Sequence, residues 1–167
     1  YPTKENTILS LPDLSLPRTS YMLSKIYGEA MCHSSNLNYL ILRPHNIYGP
    51  RMGMKHVIPQ LIKKIIHTKK EGTLDLFSPN HTRTFCYVKY AVNKIALFIE
   101  KENWPTYPIN LGVGNPEIKI KELANMLLKI MKREDISINE LENTPGSPSR
   151  RVPDTSALNK YTGFTDT

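Results

Sequence analysis

Apolar residues recur along this chain with periods that change from segment to segment. Val57, Ile58, Leu61, Ile62, Ile65 and Ile66 return at helical spacing with Lys63 and Lys64 opposite, which predicts an amphipathic helix. "TLDLF" (73–77) alternates as a strand does, "SPNHTR" turns, and "TFCYV" (84–88) predicts a strand running into a helix with Val92, Ile95, Ala96 and Ile99 inside. "YPINLG" (107–112) predicts a further strand. Ile120, Leu123, Leu127 and Ile130 mark a helix, "DISINE" a possible edge strand, and "DTSALNKYTGF" a short capped helix ending at Gly163. Upstream, residues 1–18 carry Pro2, Pro12 and Pro17 without a sustained period and read as an extended surface connection. A helix from Ser20 to about His33, capped by Thr19 or Ser20, follows, and then "NYLILR" (38–43), a buried strand stopped by Pro44. Strands alternating with helices, without an internal repeat, give an α/β or α+β chain.

Composition narrows the class. A chain of 167 residues, 40% hydrophobic and 22% charged, has the length and make-up of one globular domain. It holds no apolar run near the ~20 residues of a membrane span, and its start, "YPTKEN", lacks the features of a signal peptide, so a soluble, cytoplasmic protein is expected. Cys32 and Cys86 stand far apart and read as reduced thiols. A net charge of +7 suits an anionic partner, whether nucleic acid, an acidic surface or a phosphorylated small molecule. Lys63, Lys64, Lys69 and Lys70 read as a solvated face with cations near a helix C-terminus. No basic stripe interleaved with stacking aromatics is present, so nucleic acid is not the expected partner.

Tyr21 and Lys25, four apart on the first helix, share a face. A free phenol, with a pKa of ~10, is a poor base at neutral pH, and a nearby cation stabilises the phenolate. Spacing alone decides nothing, because Tyr90 and Lys94 repeat it. The order of segments separates the two pairs: after Tyr21 and Lys25 come "LRPHNIYGPRMGM", "RTFCYV", "NLGVGNP" and "SRRVPD", and nothing downstream of Tyr90 compares.

In that order, these segments closely resemble the extended short-chain dehydrogenase/reductase superfamily, in its nucleotide-sugar epimerase, dehydratase and decarboxylase branch, over about residues 1–167. "GPRMGM", "TRTFCYV" and "NLGVGNP" look most like UDP-glucuronate decarboxylases and UDP-sugar epimerases. The resemblance implies the C-terminal part of a Rossmann-type parallel sheet (1–56, with the tyrosine-lysine helix) plus a small α/β region, 57–167, mainly for substrate binding. NAD (or NADP) is the implied cofactor, a nucleotide sugar the implied substrate, and a homodimer through helices near Tyr21 the implied assembly. Tyr21 would take a sugar hydroxyl proton and Lys25 would hold the nicotinamide ribose, with Pro44 and His45 beside the nicotinamide. Asn46, His56, Val57, Leu74, Phe77, Arg83 and Arg151 match substrate-binding positions. Plainer roles stand beside these: Asn46 could turn its loop, and Leu74 and Phe77 could pack in the core. Arg83 and Arg151 could close on a diphosphate with forked hydrogen bonds, though Arg150 is an equal candidate on sequence. His45 and His56 lack carboxylate partners, so no metal is expected.

The sequence also departs from the family pattern. It contains no G-x-x-G-x-x-G turn for a dinucleotide pyrophosphate, and the family's catalytic serine or threonine would fall upstream of Tyr1. Lys89 and Tyr90 follow "YV" where the family has an acidic residue, and the chain stops at "GFTDT". Two expectations follow: part of an enzyme that is inactive as 167 residues alone, or a non-catalytic remnant that holds nucleotide sugar.

Overall fold

The computed structural model describes residues 2–11, 13–16, 19–101 and 103–163. Pro12 and Pro17 of the expected connection, and the tail after Gly163, lie outside the described residues. In chain order the elements are α1 (Thr19–His33), β1 (Leu42–Pro44), β2 (Ile47–Tyr48), α2 (Val57–His67), β3 (Thr73–Phe77), β4 (Thr82–Arg83), β5 (Cys86–Tyr87), α3 (Val88–Ile99), β6 (Ile109–Leu111), β7 (Ile118–Lys119), α4 (Ile120–Ile130), β8 (Ser137–Leu141), β9 (Arg150–Arg151) and α5 (Ser156–Thr162). Four parallel pairings, β1 with β6, β2 with β5, β3 with β8 and β4 with β9, give the mixed α/β architecture, and β7 joins β4 antiparallel.

Two apolar cores hold these pieces. Leu61 and Ile65 of α2, Leu74 and Leu76 of β3, Leu123, Ala124 and Leu128 of α4 and Ile136 form the first. Cys86, Ala91, Phe98, Ile109, Leu111 and Leu158 form the second, where the Phe98 ring stacks on Tyr161 at 5.6 Å between centroids. The chain crosses between cores at residues 82–87. There "TFCYV" is strand only at Cys86–Tyr87: β4, just before it, stays with β7 and β9, Thr84 and Phe85 link the two strands, β5 pairs with β2, and Val88 already opens α3.

Other elements also differ from the hydrophobic pattern for identifiable reasons. "NYLILR" is a strand only from Leu42, where the register with β6 begins, the Ile41 carbonyl just before it accepting from the Ile109 N–H at 2.9 Å; Pro44 belongs to the strand. Helix α3 buries Ala91, Lys94 and Phe98 and leaves Val92 and Ile99 54% and 68% exposed. The true inner stripe runs through a lysine, which a hydrophobicity count places outside. Lys94 is accommodated there by donating to Thr162 Oγ1 at 2.9 Å. Thr19 is the first residue of α1, not its cap: it is buried and its hydroxyl donates to the Asp13 carbonyl at 2.8 Å. The strand expected at "DISINE" is Ser137–Leu141, two residues later at its start and one at its end, with all five residues in register with β3.

Helix α1 is the outlier in packing. Thr19 is its one fully buried residue, while Tyr21, Met22, Leu23, Tyr27 and Met31 are exposed. Arg43 on β1 fastens it, with Nε and Nη2 donating to both carboxylate oxygens of Glu29 at 2.8 and 2.7 Å.

Two glycines give opposite expectations. A Cβ at Gly49 would stand 2.5 Å from Val88 Cγ1, at the first turn of α3. Gly49→Ala should therefore lower the unfolding free energy by about 1–3 kcal/mol. Gly28 on exposed α1 meets nothing within 4 Å, so Gly28→Ala should raise helix stability by about 0.5–1 kcal/mol. Urea titration of the two variants checks both signs.

Candidate functional site: a cationic cleft and an exposed tyrosine-lysine helix

The β4–β9 pair sets the geometry of the cleft that gathers most of the expected substrate-binding residues. Successive side chains on a strand point to opposite faces, so in the register Thr82↔Arg150 and Arg83↔Arg151 the two pairs face opposite ways. On the rear face Glu117 accepts from Arg150 Nε and Nη2 at 2.8 and 2.7 Å and from the Thr82 hydroxyl. That answers which arginine faces which way: Arg150 is held by Glu117, and Arg151 lines the cleft with Arg83. The front face thus carries two like charges directly across a ladder, an arrangement that repels without a counter-charge. Arg83 is braced by the segment that closes this side of the cleft, donating to Ser147 Oγ at 3.2 Å and to the Pro148 carbonyl at 2.7 Å.

The cleft encloses about 470 Å³ between β4, α2, the end of β3 and residues 144–147. That lies within the ~300–1,000 Å³ of small-molecule sites. Of the expected substrate-binding residues it gathers Asn46, His56, Val57, Phe77, Arg83 and Arg151, together with Lys55, Lys64 and His81. Among the described residues no Asp or Glu lines it. Leu74 is the exception: it is 1% exposed inside the first core and does not reach the cleft.

Local structure explains how each wall residue arrives. Asn46 sits at φ 45°, a left-handed conformation that asparagine tolerates better than most residues. Its Nδ2 donates to the Thr84 carbonyl at 2.9 Å, which fixes the amide at the cleft edge. His56 is the N-cap residue of α2 but makes no side-chain cap bond, and the first turn of α2 has no acidic residue. The positive end of α2 therefore meets the cleft without a carboxylate of its own. Phe77 is half exposed at the end of β3, with Lys64 Nζ 5.6 Å from its ring centroid.

The remaining expected residues lie outside this cleft. Tyr21 is 61% exposed, and Lys25 Nζ lies 5.3 Å from its ring centroid. Pro44 ends β1. His45, the next residue, puts Nε2 3.1 Å from Asn110 Oδ1. Asn46 then turns to the cleft, so three consecutive residues connect the strand after the tyrosine-lysine helix with the cationic wall. The other such pair is structural: Lys94 is 2% exposed.

Asn110 was not anticipated from the sequence. It is 2% exposed, and its Nδ2 donates to the carbonyls of Thr3 and Asp154 at 3.0 and 3.1 Å while Oδ1 meets His45. Its place in "NLGVGNP" was visible, but its side-chain role was not. Among the described residues no group of three or more His, Cys, Asp or Glu side chains gathers. Nor is any helix long and apolar enough to cross a membrane.

Comparison with known proteins places this geometry. Residues 1–112 match the NAD dependent epimerase/dehydratase family. The chain belongs to that family. UDP-glucuronic acid decarboxylase 6 of Arabidopsis thaliana is 34% identical over 132 residues, 74% of this chain and 35% of the relative. A UDP-glucuronic acid 4-epimerase from Bacillus cereus, solved with UDP-glucuronic acid and NAD, has a TM-score of 0.77 at 24% identity, over 97% of this chain and 54% of that one. A dTDP-glucose 4,6-dehydratase from Streptomyces venezuelae, with NAD bound, has a TM-score of 0.78 at 20% identity, over 99% and 49%. These two likenesses establish the fold. The chain thus spans about a third of the curated relative and about half of the solved ones.

Ionisation in this member of the family has a defined sign. Burial, foremost, holds the His45 imidazole below its ordinary 6.5, and burial followed by the Arg83 charge does the same for His81. In the unfolded chain both take up a proton near 6.5; in the folded one they do so only at lower pH. Stability is therefore full above about pH 6.5 and falls as pH drops from there toward the folded-state values. A second loss begins below the ordinary 4.5 of Glu117, whose pKa is lowered first by the Arg150 hydrogen bond and then by that from Thr82. Urea midpoints measured from about pH 7.5 to 5 should decline, and decline less in His81→Gln. A flat profile would contradict this assignment.

Proposed function

We propose that the chain is the nucleotide-sugar-binding portion, with the catalytic tyrosine-lysine helix, of an NAD-dependent epimerase, dehydratase or decarboxylase acting on a UDP-sugar. The observation that carries it is the Arg83/Arg151 pair across β4 and β9, in a cleft with two further lysines and no carboxylate. A diphosphate carries two negative charges, with oxygens suited to guanidinium hydrogen bonds. Asn46, His56 and Val57 complete the polar wall, and Phe77 offers a ring to the base. Leu74 acts from behind, as core under β3. A boundary near residue 56 is part of the reading. Because α3, β6 and α5 share the core with Leu42, residues 57–167 are mainly, not wholly, the substrate-binding part.

Tyr21, Lys25, Pro44 and His45 fit the nicotinamide end of NAD or NADP: the first two share an exposed helix face, and His45 is oriented by Asn110. The cofactor, when bound, accepts and returns a hydride at the sugar carbon. Tyr21 Oη takes the proton of the adjacent sugar hydroxyl, and the Lys25 ammonium stabilises the phenolate and reaches the nicotinamide ribose. Exposed apolar residues on α1 are consistent with a homodimer through that helix, and cytoplasmic location goes with a nucleotide-sugar substrate.

The test is calorimetric titration of the chain with UDP, in wild type and in Arg151→Gln. UDP should bind, and the variant should bind about 10–100-fold more weakly, the cost of one charge-assisted hydrogen-bonding arm. Absence of UDP binding by the folded wild type would sink the reading. Retained UDP binding without turnover in the protein from its source cells would favour a non-catalytic nucleotide-sugar module, the second reading.

A further inference from the structure

His81 immediately precedes β4 and lines the same cleft as Arg83, while Thr82 between them turns to Glu117. It lines the cleft yet is 5% exposed, and its Nδ1 meets no hydrogen-bond partner among the described residues. Its backbone, by contrast, is fully engaged: the N–H donates to the Ser78 carbonyl at 3.1 Å and the C=O accepts from the Ile120 N–H at 3.0 Å. The main chain is thus fixed and the ring nitrogen is left over. A buried polar atom without a partner costs free energy in the folded protein, so packing alone does not account for histidine here.

We propose that His81 is a ligand-contacting residue of the cleft, a third arm beside Arg83 and Arg151 that donates a ring N–H to the diphosphate of the nucleotide sugar. The proposal rests on the reading of the cleft as a nucleotide-sugar site. Rotation about Cβ–Cγ is soft and two-fold for histidine, so either ring edge can be turned to the ligand while the backbone stays in place. Burial and the Arg83 charge keep the ring neutral near pH 7, with one N–H to donate and no added repulsion against the arginines.

The experiment pairs UDP calorimetry with the thermal midpoint of the ligand-free chain, in wild type, His81→Leu and His81→Gln. The leucine variant should bind UDP about tenfold or more weakly, while its ligand-free midpoint stays level or rises, because no native hydrogen bond is removed. Glutamine restores an N–H donor and should recover most of the affinity. Unchanged UDP affinity in His81→Leu overturns the proposal. So does a loss that comes with a falling midpoint, which would make His81 structural, and so does a loss that glutamine fails to recover, which would assign the effect to shape. If wild type itself binds no UDP, the cleft reading falls and this one falls with it; wild-type binding with an indifferent His81 overturns only this one.

Discussion

Tyr21→Phe in the complete protein is expected to cut turnover of its UDP-sugar by about 10²–10⁴-fold, the usual loss when a positioned general acid or base is removed. The substitution deletes one oxygen from a side chain 61% exposed on α1, so the fold should change by no more than about 0.5 kcal/mol. KM should move little, because the cationic cleft proposed to hold the diphosphate contains neither Tyr21 nor Lys25. Lys25→Met tests the partner: with the cation gone the phenol ionises less readily, and the alkaline shift of the pH-rate profile should be the main effect. Tyr90→Phe is the control, since that ring packs on buried Lys94 and belongs to the second core. Turnover of Tyr21→Phe at the wild-type rate would remove Tyr21 from the chemistry.

The two halves of the site differ in how completely the chain itself supplies them. The cleft has walls from β3, β4, β9, α2 and the 144–147 segment; α2 and β3 rest on the first core, and Arg83 is held by Ser147 and Pro148. Helix α1 is fastened chiefly at Glu29 by Arg43 and otherwise presents apolar side chains outward. Binding and chemistry are therefore separable in this chain. UDP affinity reports on the cleft, and only turnover reports on Tyr21.

Much of this was legible in the sequence, and the reasons are physical. Helix α2 and strand β3 carry clean periods because each has one face in a core and the other in solvent, so their limits match the pattern. Arg83 was legible from its motif but its neighbour on β9 was not: "RR" gives no face, and only the pairing with Thr82 and Arg83 sends Arg150 to Glu117 and Arg151 forward. Leu74 and Phe77 were drawn from one segment as equals, yet odd and even positions of a strand have opposite environments; Leu74 is interior and Phe77 faces the cleft. The α3 stripe was misplaced because its inner face includes Lys94, and no hydrophobicity pattern reveals a lysine whose ammonium finds Thr162 about 70 residues later. Asn110 and His81 were missed for the same reason, since their partners, or the lack of them, are tertiary facts.

Asn110→Leu should lower the unfolding free energy by about 2–5 kcal/mol, a large share of the ~5–15 kcal/mol typical of a folded domain. Leucine matches the volume closely, so the loss is polar. It strands the Asp154 carbonyl and the His45 imidazole, and leaves the Thr3 carbonyl with the Asp154 N–H alone, around a position 2% exposed where water does not replace the amide at no cost. Those carbonyls tie the N-terminal segment and the stretch after β9 to β6, so the variant should also loosen the Thr3–Pro153 bridge. A second consequence distinguishes this from a simple packing defect. The Asn110 hydrogen bond is the leading influence raising the His45 pKa against burial. Without it the folded-state pKa falls further, and the loss of stability on acidification below about pH 6.5 extends to lower pH than in wild type. Urea titrations of Asn110→Leu and wild type across that range read both effects. A difference below about 1 kcal/mol, with parallel pH profiles, would mean that these hydrogen bonds are exchanged for solvent and that Asn110 does not set the position of His45.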